Sequence, residues 1–176
     1  EIQKVELAEY DTLKGLVNLE HIKDFRDKAM RPEKPYAKVG AENPDVYFQG
    51  REAVNKYYNA LPEIVQKYFS VIEQNFDRKY KLFDYVGDPE ADKVVVVMGS
   101  GSDTVEETVS YLNSRGEKVG LVKIRLYRPF DYKSFKETLP QSVKKIAVLD
   151  RTKEPGSVGE PLYLDSNQPI ELRVED

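Results

Sequence analysis

Short apolar runs alternate with helical patterns between residues 93 and 149, and this alternation constrains the fold more than any other feature of the sequence. Each run is too short for a helix and rich in β-branched residues, as is typical of strands covered on both faces. The predicted elements are strands at 94–98, 119–126 and 143–149, with helices at 104–114 and 132–139 between them. Because the connections are only a few residues long, we expect parallel strands with right-handed crossovers. The sequence therefore predicts an α/β fold with a mostly parallel sheet.

The segment that precedes this core has a helical character. Apolar residues at helical spacing predict a short amphipathic helix at 18–30, and prolines then indicate a linker at 31–35. Residues 51–78 follow a helical pattern as well. We expect a break in that helix near Leu61, because Pro62 is suited to the first turn of a helix.

Further short elements flank the predicted parallel strands. Residues 81–85 alternate and end in a Gly-Asp-Pro turn, which indicates an edge strand. Residues 161–164 could form a short extended or helical piece. Residues 169–174 alternate apolar and charged side chains, which predicts a final edge strand.

The composition excludes several classes of protein. The 176 residues carry 27 Lys and Arg against 31 Asp and Glu, and the resulting net charge of -4 argues against a nucleic-acid-binding protein. The absence of cysteine rules out disulfides, thiolate zinc sites and cysteine-ligated iron–sulfur clusters on this chain. A single histidine, His21, excludes a multi-histidine metal site. No apolar stretch approaches the roughly 20 residues of a membrane span, and a cytoplasmic setting fits this composition.

A glycine-rich turn at 99–104 is the strongest local candidate for a binding site. Gly99, Ser100, Gly101 and Ser102 leave a strand and open a helix, where backbone amides and the helix dipole favour an anion. The alternative interpretation is structural. Ser102 or Asp103 would cap the helix, and Glu106 would complete a capping box if the cap is Asp103.

Four cations form a second candidate site. Arg125, Arg128, Arg151 and Lys153 follow the carboxyl ends of predicted strands, where open parallel sheets bind ligands. Arginine offers a planar fork of donors, so a phosphate or carboxylate clamp is one hypothesis. The other is that these side chains pair with acids of a neighbouring domain or subunit.

Other residues with chemical potential have simpler interpretations. His21 lies beside Glu20 and Asp24 on the polar side of its helix, which favours a solvated side chain. Glu106 and Glu107 diverge by about 100° on a helix, so they cannot act on one substrate from one face. The tyrosines are numerous enough to suggest either an interface or ordinary half-buried packing. They are Tyr57, Tyr58, Tyr68, Tyr80, Tyr85, Tyr127, Tyr132 and Tyr163.

Several longer motifs carry a family likeness. They are NPDVYFQGREA at 43–53, KVG at 118–120 with KIRLYRPF at 123–130, and LDRTKEPG at 149–156 with GEPLYLD at 159–165. Together they resemble the pyruvate:ferredoxin (flavodoxin) oxidoreductase family. The resemblance covers residues 1–165, whereas residues 166–176 do not resemble the continuation found in that family.

The resemblance implies a fold and a domain organisation. The stretch is similar to the second domain of that family, which resembles the transketolase C-terminal domain, a three-layer sandwich. The implied organisation is a linker with a short amphipathic helix at 1–40, the α/β domain at 41–165 and a divergent tail at 166–176. The chain would then be an excised piece of a larger protein.

The resemblance also implies a function for the whole protein. Such an enzyme decarboxylates pyruvate on thiamine diphosphate with Mg²⁺, passes electrons through 4Fe-4S clusters to ferredoxin or flavodoxin, and transfers the acetyl group to coenzyme A. It is a multidomain homodimer, so other domains of the same polypeptide are expected partners, without nucleic acid or membrane. None of the cofactor motifs matches this chain, which we expect to be inactive alone.

Two hypotheses from other classes remain open. One is a stand-alone module that binds a nucleotide or phosphorylated metabolite at the 99–103 turn and the nearby arginines. The other is a docking surface for an electron-carrier protein, which predicts an association that weakens as salt increases.

Overall fold

The computed structural model describes residues 5–35 and 40–171, and the chain divides into two compact units, Glu1–Glu52 and Ala53–Asp176. None of the described helices is both long enough and apolar enough to cross a membrane. The first unit is helical and the second holds the sheet.

Short helices make up the first unit: α1 (Tyr10–Leu16), α2 (Leu19–Asp27) and α3 (Pro44–Ala53), whose last residue belongs to the second unit. Asn18 caps α2, because its Oδ1 accepts hydrogen bonds from the amides of Glu20 and His21 at 2.9 and 3.2 Å. The amphipathic helix predicted at 18–30 is therefore confirmed. The proline of the motif at 43–53 opens α3, as a residue without an amide hydrogen can at the first helical position.

The second unit begins with the long helix α4 (Asn55–Phe76). The break predicted near Leu61 is wrong, since α4 runs through Pro62 and the interruption comes earlier, at Val54. A proline removes only its own amide donor. Val65 and Phe69, one and two turns further on, pack against the core and hold the helix in place despite that loss.

Four strands form one sheet in the order β1-β3-β2-β4, where β1 is Phe83–Gly87, β2 Lys93–Met98, β3 Val119–Ile124 and β4 Lys145–Leu149. Strand β2 pairs in parallel with both β3 and β4, as the alternation predicts. Strand β1 pairs antiparallel to β3 and lies at the outer end of the sheet. The predicted edge strand is therefore present, about two residues later than expected.

Helices cover both faces of the sheet. Helix α5 (Gly101–Ser114) lies on one face, where Val109 packs with Val97 and Leu121. Helices α6 (Tyr132–Thr138) and α7 (Pro161–Glu171), together with α4, contribute to the other core. Alternate residues of β2 and β3 enter opposite cores, so these two strands read as continuous apolar runs. In β4 only Ile146 and Val148 pack against a core, and the residues that alternate with them are exposed. The three-layer α/β arrangement is confirmed.

The edge strand predicted at 169–174 is wrong as far as the structure describes it, because α7 continues to Glu171. Leu162 and Ser166 are both fully buried, and their four-residue spacing places one face of this helix in the core. The alternation of apolar residues that suggested a strand therefore lies partly on a helix. Residues 172–174 lie outside the described residues.

Candidate functional site

The glycine-rich turn connects β2 to α5 in two residues. Gly99 has a φ of +78°, a left-handed conformation that suits glycine, and α5 begins at Gly101. Ser102 and Asp103 already lie in the first turn of the helix, and Ser100 at the cap position makes no side-chain capping bond. The predicted cap at Ser102 or Asp103 is therefore wrong, because the left-handed glycine allows the helix to start earlier.

Asp103 and Glu106 instead bind a lysine of the adjacent strand. Lys123 Nζ lies 3.1 Å from Asp103 Oδ1 and also contacts Glu106, and only 9% of the Lys123 side chain is exposed. Burial alone would lower the pKa of Lys123, but its hydrogen bonds to Glu106 and Asp103 outweigh burial and raise the pKa above the usual value. This ion-pair cluster joins α5 to β3.

The ion-pair cluster alters the electrostatic environment that the glycine-rich turn provides for an anion. The α5 dipole favours negative charge at this end of the helix, and Asp103 in the first turn already supplies it. A phosphate at Gly99–Ser102 would also meet the Glu106 carboxylate, although Lys123 neutralises part of that charge. Anion binding at this turn stays a prediction.

Arg125 follows β3 directly and is held from two sides. Its Nε donates to Asp84 Oδ2 of β1 at 2.8 Å, and its guanidinium lies over the Tyr80 ring at 4.8 Å. Tyr80 in turn contacts Phe69 of α4, with ring centroids 5.8 Å apart. Arg125 thus links the edge strand to the end of α4.

Arg128 has a similar arrangement beside α7. Its Nη1 lies 2.5 Å from Asp165 Oδ2 of α7, and its guanidinium stacks on Tyr127 at 4.1 Å. Burial and a hydrogen bond to Asp165 raise the pKa of Tyr127 above its usual value. The carboxylate of Asp165 therefore binds two side chains of the segment that follows β3.

The loop after β4 is fixed by two carboxylates. Asp150 accepts hydrogen bonds from the amides of Thr152 and Leu162, each at 3.0 Å. Glu160 accepts from the amide of Glu154 at 2.7 Å and from Lys153 Nζ at 3.0 Å. Burial tends to raise the pKa of Asp150, but the backbone hydrogen bonds lower it overall.

The four predicted cations thus have different surroundings. Arg125, Arg128 and Lys153 pair with acids of their own unit, whereas the Arg151 side chain is exposed. The acids that the second hypothesis assigned to a neighbouring domain are therefore supplied, for these three, by the same domain. A shared anion clamp stays a prediction.

The remaining candidates lie apart from these contacts. His21 and Glu107 are exposed, while Glu106 is half-buried against Lys123. Among the described residues, no group of three or more His, Asp or Glu side chains could hold a metal ion. Of the tyrosines, Tyr80, Tyr85 and Tyr127 are half-buried in packing. The exposed ones are Tyr57, Tyr58, Tyr68, Tyr132 and Tyr163.

Sequence reasoning missed Lys123, the residue on which the α5 contacts depend. The sequence does contain a signal for this residue. Lys123 lies within an apolar run that predicts a strand with both faces covered. Such a charge requires a partner when buried, and acids in the following or preceding helix are the nearest candidates. Asp84 and Asp165 gave no comparable signal, since their partners lie 41 and 37 residues away along the chain.

Comparison with known proteins shows which family this chain resembles. The family model described as "Pyruvate:ferredoxin oxidoreductase core domain II" matches residues 91–174, which contain β2 to α7. A second, described as "Pyruvate flavodoxin/ferredoxin oxidoreductase, thiamine diP-bdg", matches residues 1–70. Over 94% of its length the chain is 53% identical to the pyruvate:ferredoxin oxidoreductase of Moorella thermoacetica and 54% identical to the pyruvate-flavodoxin oxidoreductase of Trichormus variabilis.

The chain belongs to the pyruvate:ferredoxin oxidoreductase family. The resemblance noted in the motifs is therefore confirmed. A more distant relative is the pyruvate dehydrogenase [NADP(+)] of Cryptosporidium parvum, 44% identical over 97% of the chain. The chain spans 14% of the length of the first two relatives and 9% of the third.

The glycine-rich turn of this oxidoreductase segment does not fit thiamine diphosphate and its metal ion. A diphosphate–Mg²⁺ site requires oxygen ligands that converge on the cation. At the glycine-rich turn, the carboxylates of Asp103 and Glu106 instead converge on Lys123. Since the chain also has no cysteine, it cannot supply thiolates to an iron–sulfur cluster.

Proposed function

We propose that this chain is the core domain II region of a cytoplasmic pyruvate:ferredoxin or flavodoxin oxidoreductase, in which it provides structure and inter-domain contacts. The whole enzyme would convert pyruvate and coenzyme A into acetyl-CoA and CO2 and pass the two electrons to ferredoxin or flavodoxin. Thiamine diphosphate, Mg²⁺ and 4Fe-4S clusters would be bound by other parts of the longer polypeptide, which would act as a homodimer. The chain alone would be inactive.

The observation that carries this proposal is an exposed apolar stripe on α4. Tyr57, Leu61, Ile64 and Tyr68 recur at steps of three or four residues and so lie along one side of the helix. Tyr57, Ile64 and Tyr68 are 66, 46 and 54% exposed. We name these four residues the α4 stripe.

Two apolar residues of α4 beside the stripe already pack against the rest of the domain. Val65 and Phe69 pack against the core formed with β1 and α6. Apolar and aromatic residues that repeat along a helix on the solvent side are a common feature of protein–protein interfaces. An additional surface over the stripe would bury it.

The location of the stripe in the sequence supports the identity of that surface. The stripe lies within residues 1–70, which match the thiamine diphosphate-binding family model, whereas the core domain II match begins at residue 91. Helix α4 nevertheless packs on the domain II core. A helix that belongs to one domain by sequence and packs on another is well placed to connect them.

The test replaces the exposed members of the stripe with lysine in the oxidoreductase that contains this chain. The Tyr57→Lys/Ile64→Lys/Tyr68→Lys enzyme should lose thermal stability and most of its pyruvate-dependent ferredoxin reduction, because charged side chains would be forced into an apolar interface. In the 176-residue chain the same substitutions should change the unfolding midpoint little, since these residues are exposed there.

A matched control is Tyr111→Lys, which changes an exposed tyrosine of α5 outside the stripe. This enzyme should behave like the parent. If the triple variant of the enzyme keeps its thermal stability and turnover, the stripe faces solvent in the whole protein and the proposed inter-domain role is wrong.

A further inference from the structure

The α4 stripe is a narrow line of side chains. Tyr57, Leu61, Ile64 and Tyr68 follow one another at steps of four, three and four residues. At 100° per residue, they lie within an arc of about 60° around the helix axis. A helix that packs on a globular core presents an apolar arc of about 100° or more, whereas a narrow line with alternating steps of three and four is typical of one helix packed along another. The stripe therefore has the form of a helix–helix contact surface.

The other apolar residues of α4 do not widen this surface. Val65 and Phe69 already pack against the core of the domain. On the other side of the stripe the helix is polar, with Glu63 and Lys67 exposed. A partner would therefore meet one line of side chains that extends about 16 Å along the axis, at 1.5 Å per residue. A helix of about three turns would cover it.

Tyrosines lie at both ends of the stripe, with aliphatic side chains between them. Tyr57 and Tyr68 are exposed at the ends, and Leu61 and Ile64 lie between them. A tyrosine ring can be buried in a contact while its hydroxyl stays at the wet rim. The order of residues thus matches an interface with an apolar centre and polar ends.

Exposed cations lie beside the stripe on the flank away from the domain core. Lys56 and Lys67 each come one residue before a tyrosine of the stripe, and Lys56 Nζ lies 4.9 Å from the centroid of the Tyr57 ring. No acid in the described part of the chain forms an ion pair with either lysine. Glu63 is on the same flank but further round the helix from the stripe. A partner with acids along this flank would be attracted, as at the flanking positions of coiled coils.

We propose that an amphipathic α-helix from the part of the oxidoreductase outside residues 1–176 packs along the α4 stripe. Its apolar residues recur at steps of three and four, and acidic residues on one flank lie beside Lys56 and Lys67. The chain spans 14% of the length of the first two relatives, so a polypeptide of that size has ample sequence to supply such a helix. This helix would be the surface that covers the stripe in the proposed inter-domain role, and the inference rests on that role.

The test is photo-crosslinking in the oxidoreductase that contains this chain. Each stripe residue is replaced in turn with p-benzoylphenylalanine, whose side chain inserts on irradiation into the C–H bonds that it contacts, and mass spectrometry identifies the crosslinked peptides. All four positions should crosslink to one segment outside residues 1–176. As the label moves from residue 57 to residue 68, the crosslinked position should move by about eleven residues, because two packed helices have the same rise. A strand would advance by only about five residues over the same length.

Pyruvate-dependent ferredoxin reduction shows whether each labelled enzyme is assembled. The replacements at Tyr57 and Tyr68 exchange one aromatic ring for another, so these two positions suffice if the central replacements prevent assembly. The control carries the label at Tyr111, an exposed tyrosine of α5 outside the stripe, and should not crosslink to the same segment.

Crosslinks to several separate segments, or to one segment that advances by about five residues, would overturn the inference but leave the stripe covered by another part of the enzyme, as the proposed function requires. Crosslinks confined to residues 1–176 would also overturn it. A helical segment with basic residues beside Lys56 and Lys67 would exclude the acidic flank. If none of the labels crosslinks to protein, the stripe faces solvent and the proposed inter-domain role is wrong as well.

Discussion

Lys123 is a charged residue in a strand that is otherwise apolar and covered on both faces. Its amine is nearly buried, yet two carboxylates of α5 are within reach and remain partly exposed. The carboxylates keep access to water while the lysine loses it, so the lysine depends on the pair more than the acids do. The cluster consequently fixes the amino end of α5 against β3.

Asp103→Asn/Glu106→Gln should lower the free energy of unfolding at pH 7 by about 1–3 kcal/mol, because the nearly buried Lys123 amine would lose both of its carboxylates. Adding Lys123→Met should recover part of that loss. Urea unfolding of the parent, the double and the triple variant measures both effects. Equal stability of all three would contradict a structural role for the cluster.

The same cluster predicts a dependence on alkaline pH. The pKa of Lys123 is raised in the folded protein, so its contribution is complete below the usual lysine pKa of about 10.4 and is lost as pH rises through the higher folded value. The difference in unfolding free energy between the parent and Lys123→Met should therefore shrink above about pH 10.4. A difference that stays constant through that range would refute the assignment.

Gly120 is required by the packing of Tyr85. A methyl group on Gly120 would lie 2.7 Å from Cζ of the tyrosine, whose hydroxyl donates to the carbonyl of Asp88 at 2.5 Å. Gly120→Ala should therefore cost about 1–3 kcal/mol of unfolding free energy in a urea titration, since the ring cannot move without losing that bond. Gly101→Ala is the control, because no atom lies within 4 Å of its added carbon, and it should not destabilise the protein. Similar losses for both variants would show that steric contact with Tyr85 is not the cause.

Helix α7 and the loop that precedes it form one hydrogen-bonded element. Asp150 binds an amide at the start of the loop and another at the start of α7, and Glu160 closes the loop from the other side. Because the carboxylate of Asp150 lies at the positive end of the helix dipole, the helix also favours its charged form.

Asp150→Asn should lower the free energy of unfolding by about 0.5–2 kcal/mol at pH 7, since an amide side chain has one acceptor where the carboxylate has two. The lowered pKa of Asp150 means that its contribution is present above the usual aspartate pKa of about 3.9 and is lost as pH falls through the folded value. The parent should therefore lose more stability than Asp150→Asn below about pH 4.

Urea unfolding at several pH values measures this difference. The control Asp24→Asn replaces an exposed carboxylate of α2 and should leave the free energy of unfolding at pH 7 unchanged. If the parent and Asp150→Asn respond alike to acid, the carboxylate does not hold the loop.

At the level of elements, the spacing of apolar residues predicted those strands and helices whose buried faces follow a regular period. It failed where a proline or a glycine changed where a helix begins or breaks. Pro62 lies inside α4, where neighbouring core contacts offset the lost hydrogen bond, and Gly99 lets α5 start before the expected cap. Residues 169–171 alternate like a strand but continue a helix whose buried face is set by Leu162 and Ser166.

At the level of the whole molecule, the order of the elements could be predicted from sequence, because parallel strands require crossover helices. The pairs Asp84–Arg125 and Asp165–Arg128 could not, since they join residues about 40 positions apart that only the folded sheet brings together. A shared anion clamp was one of two hypotheses for the four cations and stays a prediction, while three of them pair with three different acids of the folded domain.

The central claim is that this chain supports an oxidoreductase without carrying its chemistry. The most direct measurement supplies pyruvate, coenzyme A, thiamine diphosphate, Mg²⁺ and oxidised ferredoxin to the purified 176-residue chain and, separately, to the oxidoreductase that contains it, and follows ferredoxin reduction. The oxidoreductase should turn over while the chain stays at the level of a protein-free blank. Pyruvate-dependent reduction by the chain alone would contradict the account.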